Sequence, residues 1–345
     1  MPDQEKKRLL FLYTGGTIAM DLGLGGDASL ASLGAVAKDL AREVPAVARV
    51  ANVDSRVLMN ADSADLVPAD WCHVAAEIHG AIASNRYEGI VVVHGTDTMA
   101  YGASLVAFLL GPVPIPVVFT GAQRPLSDVR SDAARNLADA AYIATRPLPE
   151  VMIVFGSRAL RAVRATKVDA WGFGAFETPM CAPLVELGLG DAVAPHVRSP
   201  GSLGAWDARL VREVWLVRVH PGLDPGLIRA GLDAGVRGLV LATYGTGTLP
   251  TRDRGWLELI EEAGGRGLCT LVVSQCERSY VELGRYGGGA AALAAGAVSG
   301  GDMTEEAALA KMMVGLAREP NLEFLRAFLQ RSVLGERSEH SLRYT

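Results

Sequence analysis

The sequence predicts an α/β protein of two domains, and three observations support this prediction. Short apolar runs alternate with longer segments in which apolar residues recur at helical spacing, as in a mainly parallel sheet covered by helices. The chain has 345 residues, more than the roughly 150 residues of a typical domain. The pattern weakens between residues 185 and 211, where Gly, Pro and Ala dominate, and then begins again.

The elements of the N-terminal domain follow from apolar runs and helix start signals. Residues 9–13 form a short apolar run before a glycine-rich turn, and residues 89–94 (GIVVVH) form the clearest buried strand. Pro68 precedes a stretch of helical periodicity and indicates a helix start. We expect strands at 9–13, 89–94, 115–120 and 151–155, and helices at 70–84, 100–110 and 131–145. This order predicts a larger domain with a mixed or parallel sheet, assigned to residues 1–190.

A second α/β series follows a stretch that resembles a linker. Pro195, Pro200 and Gly201 indicate irregular chain, and we assign the linker to residues 191–212. After it we expect strands at 213–219, 238–242 and 268–274, and helices at 224–234, 256–263, 305–317 and 321–329. Residues 213–345 are therefore predicted to form a smaller, flavodoxin-like α/β domain.

The composition argues against several classes of protein. The net charge is −5 and no cluster of Lys and Arg stands out, which argues against nucleic-acid binding. No stretch approaches the roughly 20 apolar residues that cross a bilayer, and the first apolar run is too short for a signal-peptide core. The four cysteines lack metal-finger spacing. We therefore expect a cytoplasmic protein with reduced thiols and no nucleic-acid or membrane partner.

Two predicted strand ends are rich in glycine and in polar side chains, at residues 13–18 (YTGGTI) and 94–99 (HGTDTM). Ligands of open α/β sheets gather at the carboxyl ends of the strands. The glycines of the first segment allow a sharp turn and a close approach to a ligand. Taken alone, the first segment also fits a simple turn or an anion-binding loop, and the second fits a helix cap formed by Asp97 or Thr98. His94 lacks a second histidine at metal-ligand spacing, so we interpret it as structural.

Together, these segments resemble the L-asparaginase family, which has a TGGTI motif near the N-terminus and an HGTDT motif about 80 residues later. The resemblance covers nearly the whole chain, and its form is most similar to the cytoplasmic bacterial subtype. It includes further motifs at residues 120–123 (TGAQ), 131–137 (SDAARNL), 164–167 (RATK), 244–247 (YGTG), 274–276 (SQC) and 300–304 (GGDMT). It implies hydrolysis of L-asparagine to L-aspartate and ammonia through a threonine acyl-enzyme, without metal or cofactor.

The resemblance implies roles for four catalytic residues. Thr14 is expected to be the nucleophile, and because a threonine hydroxyl is a weak acid it needs a neighbouring base. Thr96, Asp97 and Lys167 are expected to form a relay in which Lys167 acts through the Thr96 hydroxyl. A lysine is a suitable base when burial lowers its pKa, and a nearby carboxylate opposes that effect.

The resemblance also implies a set of substrate-binding residues. Asp97 is expected to pair with the α-ammonium of the substrate, while Ser63 and the main-chain N–H of Gly95 hold its α-carboxylate, and Thr96 lines the same site. Ala64 stands where secreted members have a glutamine. Thr248 stands where they have an asparagine that reaches a neighbouring subunit's site.

Two further features depart from the family pattern, the loop after the nucleophile and the position of Ala242. The family places a tyrosine in the loop after the nucleophile, but residues 20–32 contain none. Tyr13 precedes the nucleophile on a strand and should point elsewhere, which shifts the expected activation of Thr14 to Thr96 and Lys167. The glycines of the loop still suit a lid. Cytoplasmic members can also bind asparagine at a second, regulatory site, which uses an arginine just before the Tyr-Gly turn. Ala242 stands at about that position here, so we do not expect such regulation.

Three alternatives stay open at this point. The enzyme could be a glutaminase-asparaginase, or the amidase subunit that supplies ammonia to glutamyl-tRNA, although that subunit carries an additional N-terminal domain which we do not expect here. A more distant alternative is a non-catalytic protein that binds an anion or amino acid at the glycine-rich turn. From the resemblance alone, we expect a homodimer or homotetramer.

Overall fold

The computed structural model describes residues 6–19, 21–22, 28–29, 40–319 and 321–339. It divides into two compact units, Met1–Asp207 and Ala208–Thr345. Each unit has its own sheet and helices, so the predicted two-domain α/β fold is confirmed. The boundary between the units lies inside the stretch assigned to the linker, although residues 191–193 of that stretch form a strand of the first unit.

The main sheet of the first unit contains eight strands in the order β12-β11-β8-β7-β6-β5-β1-β4. Strands β4, β1, β5, β6 and β7 are parallel, and β8, β11 and β12 add antiparallel pairs at one side. These strands are β1 (Arg8–Gly15), β4 (Asn52–Ala61), β5 (Gly89–Val93), β6 (Val117–Thr120), β7 (Val151–Phe155), β8 (Arg158–Arg161), β11 (Val185–Leu187) and β12 (Asp191–Val193). Two short pairs lie outside this sheet: β2 (Asp21–Leu22) with β3 (Ala28–Ser29), and β9 (Thr166–Lys167) with β10 (Phe176–Glu177).

The helices of the first unit are α1 (Leu40–Glu43), α2 (Pro45–Val50), α3 (Pro68–Ala83), α4 (Met99–Leu110) and α5 (Ala133–Ala144). Proline is favoured in the first helical turn because the helix does not need its missing N–H there, and both α2 and α3 begin with one. Helix α4 is buried on all sides except at Tyr101, which accounts for its nearly continuous apolar sequence. Helices α2 and α5 pack with Phe11 and Tyr13 of β1 in one core.

The main difference from the predicted elements is β4, which the hydropathy pattern did not indicate. This strand lies at the edge of the sheet, and its side chains are exposed or half-buried along its whole length. An edge strand with polar residues on both faces lacks the apolar run or alternation on which the prediction relied. Of the proposed lid at residues 20–32, residues 20, 23–27 and 30–32 lie outside the described part of the chain.

The second unit is built on a parallel four-stranded sheet in the order β13-β14-β15-β16. Its strands are β13 (Val214–Arg218), β14 (Gly238–Thr243), β15 (Cys269–Ser274) and β16 (Val298–Ser299). Its helices are α6 (Pro225–Asp233), α7 (Gly255–Gly265), α8 (Gly287–Ala294), α9 (Glu305–Arg318) and α10 (Leu322–Gln330). Two apolar clusters share β14 and β15, one with α6 and α7 and the other with α9 and α10, so this sheet is covered by helices. Across the described residues of both units, the helices are too short or too polar to span a bilayer.

Candidate functional site

The carboxyl ends of three neighbouring strands meet at one edge of the first sheet. Strand β1 pairs in parallel with β4 on one side and with β5 on the other. Thr14 lies at the end of β1, Ser63 in a short 3-10 turn after β4, and Gly95 two residues after β5. Parallel pairing therefore brings together segments that are far apart in the sequence.

The glycines of this edge allow the three segments to approach so closely that a Cβ atom would not fit between their main chains. Gly15 and Gly16 have φ of +120° and +90°, a region in which residues with a side chain are strained. A Cβ atom at Gly16 would lie 2.6 Å from Gly95 Cα, and one at Gly95 would lie 2.6 Å from Ser63 Oγ. The turn after Thr14, the segment after β5 and Ser63 thus form one tightly packed cluster.

The Thr14 hydroxyl is nearly inaccessible and is held by the main chain. Thr14 is 1% exposed, and its Oγ1 donates a hydrogen bond of 3.1 Å to the carbonyl oxygen of Val93. Within the described residues, Thr14 has no hydrogen bond to Thr96 or Lys167. The structure therefore shows the hydroxyl oriented by β5, with its hydrogen bond donated to a carbonyl oxygen and not to a base.

Thr96, Asp97 and Lys167 form a second cluster, which continues the chain from Gly95. Lys167 Nζ donates hydrogen bonds of 2.8 Å to Thr96 Oγ1 and 2.6 Å to Asp97 Oδ1. Thr96 is buried and the Lys167 side chain is 16% exposed, whereas the Asp97 side chain is 67% exposed. The lysine is thus shielded from water while its carboxylate partner is open to solvent and to a ligand.

Strand β9 carries Lys167 to this position from a distant part of the chain. It follows a buried 3-10 turn at Ala162–Arg164 and pairs with β10, with Lys167 opposite Phe176. Phe176 is 1% exposed and its ring meets that of Phe155 edge to face, with 5.2 Å between centroids. This apolar contact anchors the strand that presents the lysine.

Gln123 is a second hydrogen-bond partner of Thr96, which the sequence interpretation missed. Thr96 Oγ1 donates a hydrogen bond of 3.2 Å to Gln123 Oε1. Gln123 Nε2 donates to the carbonyl oxygens of Gly172 at 3.1 Å and Asp169 at 3.4 Å. Because Nε2 is held by these carbonyl oxygens, Oε1 of the same amide is oriented towards Thr96. The hydroxyl of Thr96 therefore accepts from Lys167 and directs its own proton to Gln123.

Asp132 holds the segment that carries Gln123. Its carboxylate accepts hydrogen bonds of 3.1 Å from the main-chain N–H groups of Gln123 and Arg124, and one of 2.9 Å from the Asn136 side chain. Asn136 in turn donates to the carbonyl oxygen of Gly121 at 3.0 Å. Apart from Arg124, these residues belong to the 120–123 and 131–137 motifs, whose pairing the sequence could not reveal because the partners lie on opposite sides of a loop.

His94 is a buried, neutral side chain with both ring nitrogens engaged. Trp71 Nε1 donates to His94 Nε2 at 3.1 Å, and His94 Nδ1 lies 2.7 Å from the carbonyl oxygen of Gly95, to which it can donate. Burial lowers the pKa of His94 to about 4. Gly102 of α4 leaves the space that the Trp71 ring occupies. The interpretation of His94 as structural agrees with this geometry.

The remaining predicted site residues lie in two different places. Ser63 is buried and its carbonyl oxygen accepts a hydrogen bond of 2.7 Å from Thr98 Oγ1. Ala64 follows it, and its N–H donates to Asp62 Oδ1 at 2.9 Å. Thr248 belongs to the second unit, in a turn where it exchanges main-chain hydrogen bonds with Tyr244. Its predicted part in substrate binding stays a prediction.

Tyr13 points into the protein core, as expected for the residue before Thr14 on a strand, where successive side chains face opposite sides. It is fully buried, packs with Phe11 at 6.4 Å between ring centroids, and burial raises the pKa of its hydroxyl. Among the described residues, no cluster of three or more His, Cys, Asp or Glu side chains is arranged to hold a metal ion.

Comparison with known proteins extends the likeness over both units. Residues 8–198 match the N-terminal domain of asparaginases, and residues 213–329 match the glutaminase/asparaginase C-terminal domain. L-asparaginase 1 of Escherichia coli K12 is 36% identical over 343 residues, which cover 96% of this chain and 98% of that protein. A glutamyl-tRNA(Gln) amidotransferase subunit of Aeropyrum pernix is 34% identical, over 98% of this chain and 81% of that protein.

A solved structure shares the fold. The crystal structure of L-asparaginase I from Vibrio cholerae superimposes with a TM-score of 0.87 at 34% identity, covering 96% of this chain and 99% of that one. Sequence and structure therefore agree along nearly the whole chain.

Proposed function

The chain belongs to the asparaginase family, and we propose that it hydrolyses L-asparagine to L-aspartate and ammonia with Thr14 as nucleophile. The observation that carries this proposal is the junction of two polar clusters at one sheet edge. Thr14, Ser63 and Gly95 form the first, and Thr96, Asp97 and Lys167 form the second.

The proposed reaction proceeds in two steps through an ester. Thr14 Oγ1 attacks the side-chain carbonyl carbon of the substrate, the C–N bond breaks, and ammonia leaves with the proton that Thr14 gives up. Water then attacks the ester, which releases aspartate and restores the hydroxyl. Attack on the carbonyl carbon places negative charge on the carbonyl oxygen. The burial of Thr14 supports its role because a low-dielectric setting strengthens the interactions that stabilise this charge.

The Thr96–Lys167 pair is the proposed route for the Thr14 proton. In the structure Thr96 directs its proton to Gln123 and Thr14 directs its proton to Val93. Both hydroxyls must therefore turn before a proton passes from Thr14 to Thr96, and substrate binding is the event that we expect to drive this change. The hydrogen bond between Lys167 and Thr96 supports a role of the lysine through the threonine.

The proposed substrate class is an amino acid that carries a side-chain amide. The exposed carboxylate of Asp97 suits an α-ammonium group, while Ser63 and the main-chain N–H of Gly95 suit an α-carboxylate. Ala64 is the position where we propose that this pocket differs from that of secreted relatives, and the role of Thr248, which belongs to the second unit, stays a prediction.

Ammonia release from L-asparagine and from L-glutamine tests the proposal with Thr14→Ala and Lys167→Met beside the wild type. We expect a loss of at least about 10³-fold for Thr14→Ala, since no other hydroxyl replaces the nucleophile, and a loss of about 10²-fold or more for Lys167→Met. Thr14→Ser is the matched control and should retain part of the activity. Activity should persist in EDTA, because the proposed steps use no metal.

The outcome of this assay separates the candidate functions. No ammonia from either amide would exclude both asparaginase and glutaminase, and full turnover by Thr14→Ala would exclude the nucleophile assignment. The amidotransferase alternative is favoured by the likeness to the Aeropyrum pernix protein. It predicts little ammonia release until glutamyl-tRNA is added. A non-catalytic amino-acid-binding protein would bind asparagine without turnover.

Cytoplasmic location and assembly as a homodimer or homotetramer belong to the same proposal. The four cysteines all lie in the described part of the chain and none forms a disulfide, which suits a reducing compartment. Analytical ultracentrifugation of the purified chain tests the assembly, and a monomer at the concentration of the assay would contradict it.

A further inference from the structure

A thiol and an imidazole lie side by side on the first unit, in a position that the proposed reaction does not use. Cys181 Sγ is 3.5 Å from His196 Nε2. The turn after β10 presents the thiol. It is closed by a hydrogen bond of 3.1 Å from the Cys181 N–H to the Thr178 carbonyl and by one of 2.7 Å from Thr178 Oγ1 to the Cys181 carbonyl. Cys181 and His196 are both half-buried, so neither residue is enclosed in the core.

A buried ion pair holds the main chain of His196 and thereby positions its imidazole. Arg161 Nη2 donates to the His196 carbonyl oxygen at 2.8 Å, and the same guanidinium forms a buried bidentate pair with Glu150. The ring of His196 also hydrogen-bonds the main chain of Ala182. These contacts hold the imidazole beside Cys181 and limit its choice of partners.

The groups around His196 keep its ring neutral, so that it can act as a base towards the Cys181 thiol. Arg161, Arg164 and Glu150 are the charged groups that act on His196, and two of the three are cationic. Burial, together with Arg161, lowers the pKa of His196, so the ring is neutral near pH 7 and can accept a proton. Transfer of the thiol proton to this ring gives a thiolate beside an imidazolium, which stabilises the negative sulfur.

We propose that Cys181 and His196 form a reactive thiol site that exchanges with small disulfides. His196 Nε2 accepts the thiol proton while Cys181 Sγ attacks one sulfur of the disulfide. The S–S bond of the reagent breaks, its second sulfur leaves as a thiolate with the bonding electron pair, and a mixed disulfide forms on Cys181. The cysteine is oxidised and the reagent is reduced.

The other cysteines of the chain provide internal controls for this site. Cys276 is exposed and Cys269 is fully buried. If access alone decided the rate, Cys276 would react before Cys181. Labelling of Cys269 reports unfolding, because its thiol is reached only when the core of the second unit opens.

The test measures the labelling rate of each cysteine by 2,2′-dithiodipyridine at pH 6.5, with mass spectrometry of the peptides. We expect Cys181 to react about tenfold faster than Cys276, and His196→Gln and His196→Asn each to remove this advantage while Cys276 is unchanged. Faster labelling of Cys276 in the wild type would overturn the proposal. So would an undiminished rate at Cys181 in a histidine variant that leaves Cys269 unlabelled and unfolds in urea at the same concentration as the wild type. If Cys269 is labelled in both variants, the ratio of the Cys181 rate to the Cys276 rate in the wild type decides alone.

Discussion

At the scale of single residues, the polar side chains at the sheet edge differ chiefly in their access to water. Thr14 is held on a main-chain carbonyl inside the protein, Lys167 is shielded, and Asp97 is open to solvent. His94 is buried behind them with its two nitrogens engaged. A neutral imidazole in this position fixes the strand end without adding a titration to the proposed reaction near neutral pH.

The burial of His94 predicts a loss of stability in mild acid. Its pKa falls from 6.5 in the unfolded chain to about 4 in the folded protein. The unfolded chain therefore binds a proton between these values that the folded protein does not. The stability contributed by the neutral ring is complete above pH 6.5 and is lost as the pH falls to 4, by about 3 kcal/mol in all.

Denaturant unfolding at a series of pH values between 7 and 4 measures this effect against His94→Gln. A glutamine amide keeps one donor for Gly95 and one acceptor for Trp71, but it does not titrate. We expect the wild type to lose stability more steeply than the variant, because carboxylates elsewhere affect both proteins equally. Parallel curves for the two proteins would show that His94 is not the source.

At the scale of elements, the site depends on parallel strands that end at the same edge and on glycines that let their ends touch. The turn at Gly15 and Gly16 combines positive φ with close main-chain contacts to β4 and to the segment after β5. A side chain there meets backbone, which cannot move aside as a flexible side chain can. Strain and steric overlap thus act together at Gly16.

Gly16→Ala should therefore lower both stability and ammonia release, and Gly111→Ala is the matched control. Both glycines have positive φ, but a Cβ atom at Gly111 meets nothing within 4 Å. We expect Gly111→Ala, at φ 69° and ψ −155°, to cost about 1–3 kcal/mol from backbone strain alone and to leave activity intact. Gly16→Ala should cost more and reduce kcat/KM. Equal stability and activity of the two variants would contradict the packing argument.

At the scale of the whole molecule, each unit contains its own core and its own buried ion pair. The first unit has Arg161 with Glu150 at 2.6 Å, and the second has Lys311 with Glu336 at 2.5 Å. Lys311 also donates to the Leu329 carbonyl, and Glu336 accepts from the N–H groups of Val333 and Leu334. This second pair joins α9 to the chain after α10, so it stabilises the end of the second unit.

Lys311→Met should destabilise the second unit by about 3–5 kcal/mol, since it leaves a carboxylate buried without its cation. Burial raises the pKa of Glu336, but Lys311 and the main-chain N–H groups more than offset this and lower it. The double variant Lys311→Met with Glu336→Gln should recover part of the loss, because the amide oxygen still accepts from the main chain. Urea unfolding of the full chain measures both. A double variant no more stable than the single one would show that the lost packing of Lys311, and not the unpaired charge, causes the loss.

The sequence by itself determined the class of fold, the family and the candidate catalytic residues. Buried parallel strands such as β5 and β14 are continuous apolar runs because both faces of the sheet are covered. The two strand-end motifs are local, so their residues could be named without a structure. Edge strand β4 lacked a continuous apolar run because its side chains are exposed or half-buried, where polar residues remain hydrated.

Only the tertiary structure decided which of these residues touch. Lys167 meets Thr96 and Asp97 across about 70 residues of chain, and Gln123 meets Thr96 through a loop that Asp132 holds. It also showed that the Thr14 hydroxyl donates its hydrogen bond to the Val93 carbonyl, which the motif alone does not reveal. Hydropathy reports how deeply a residue is buried. Hydrogen-bond partners depend on directions and distances that are fixed only when the strands pair and the loops pack.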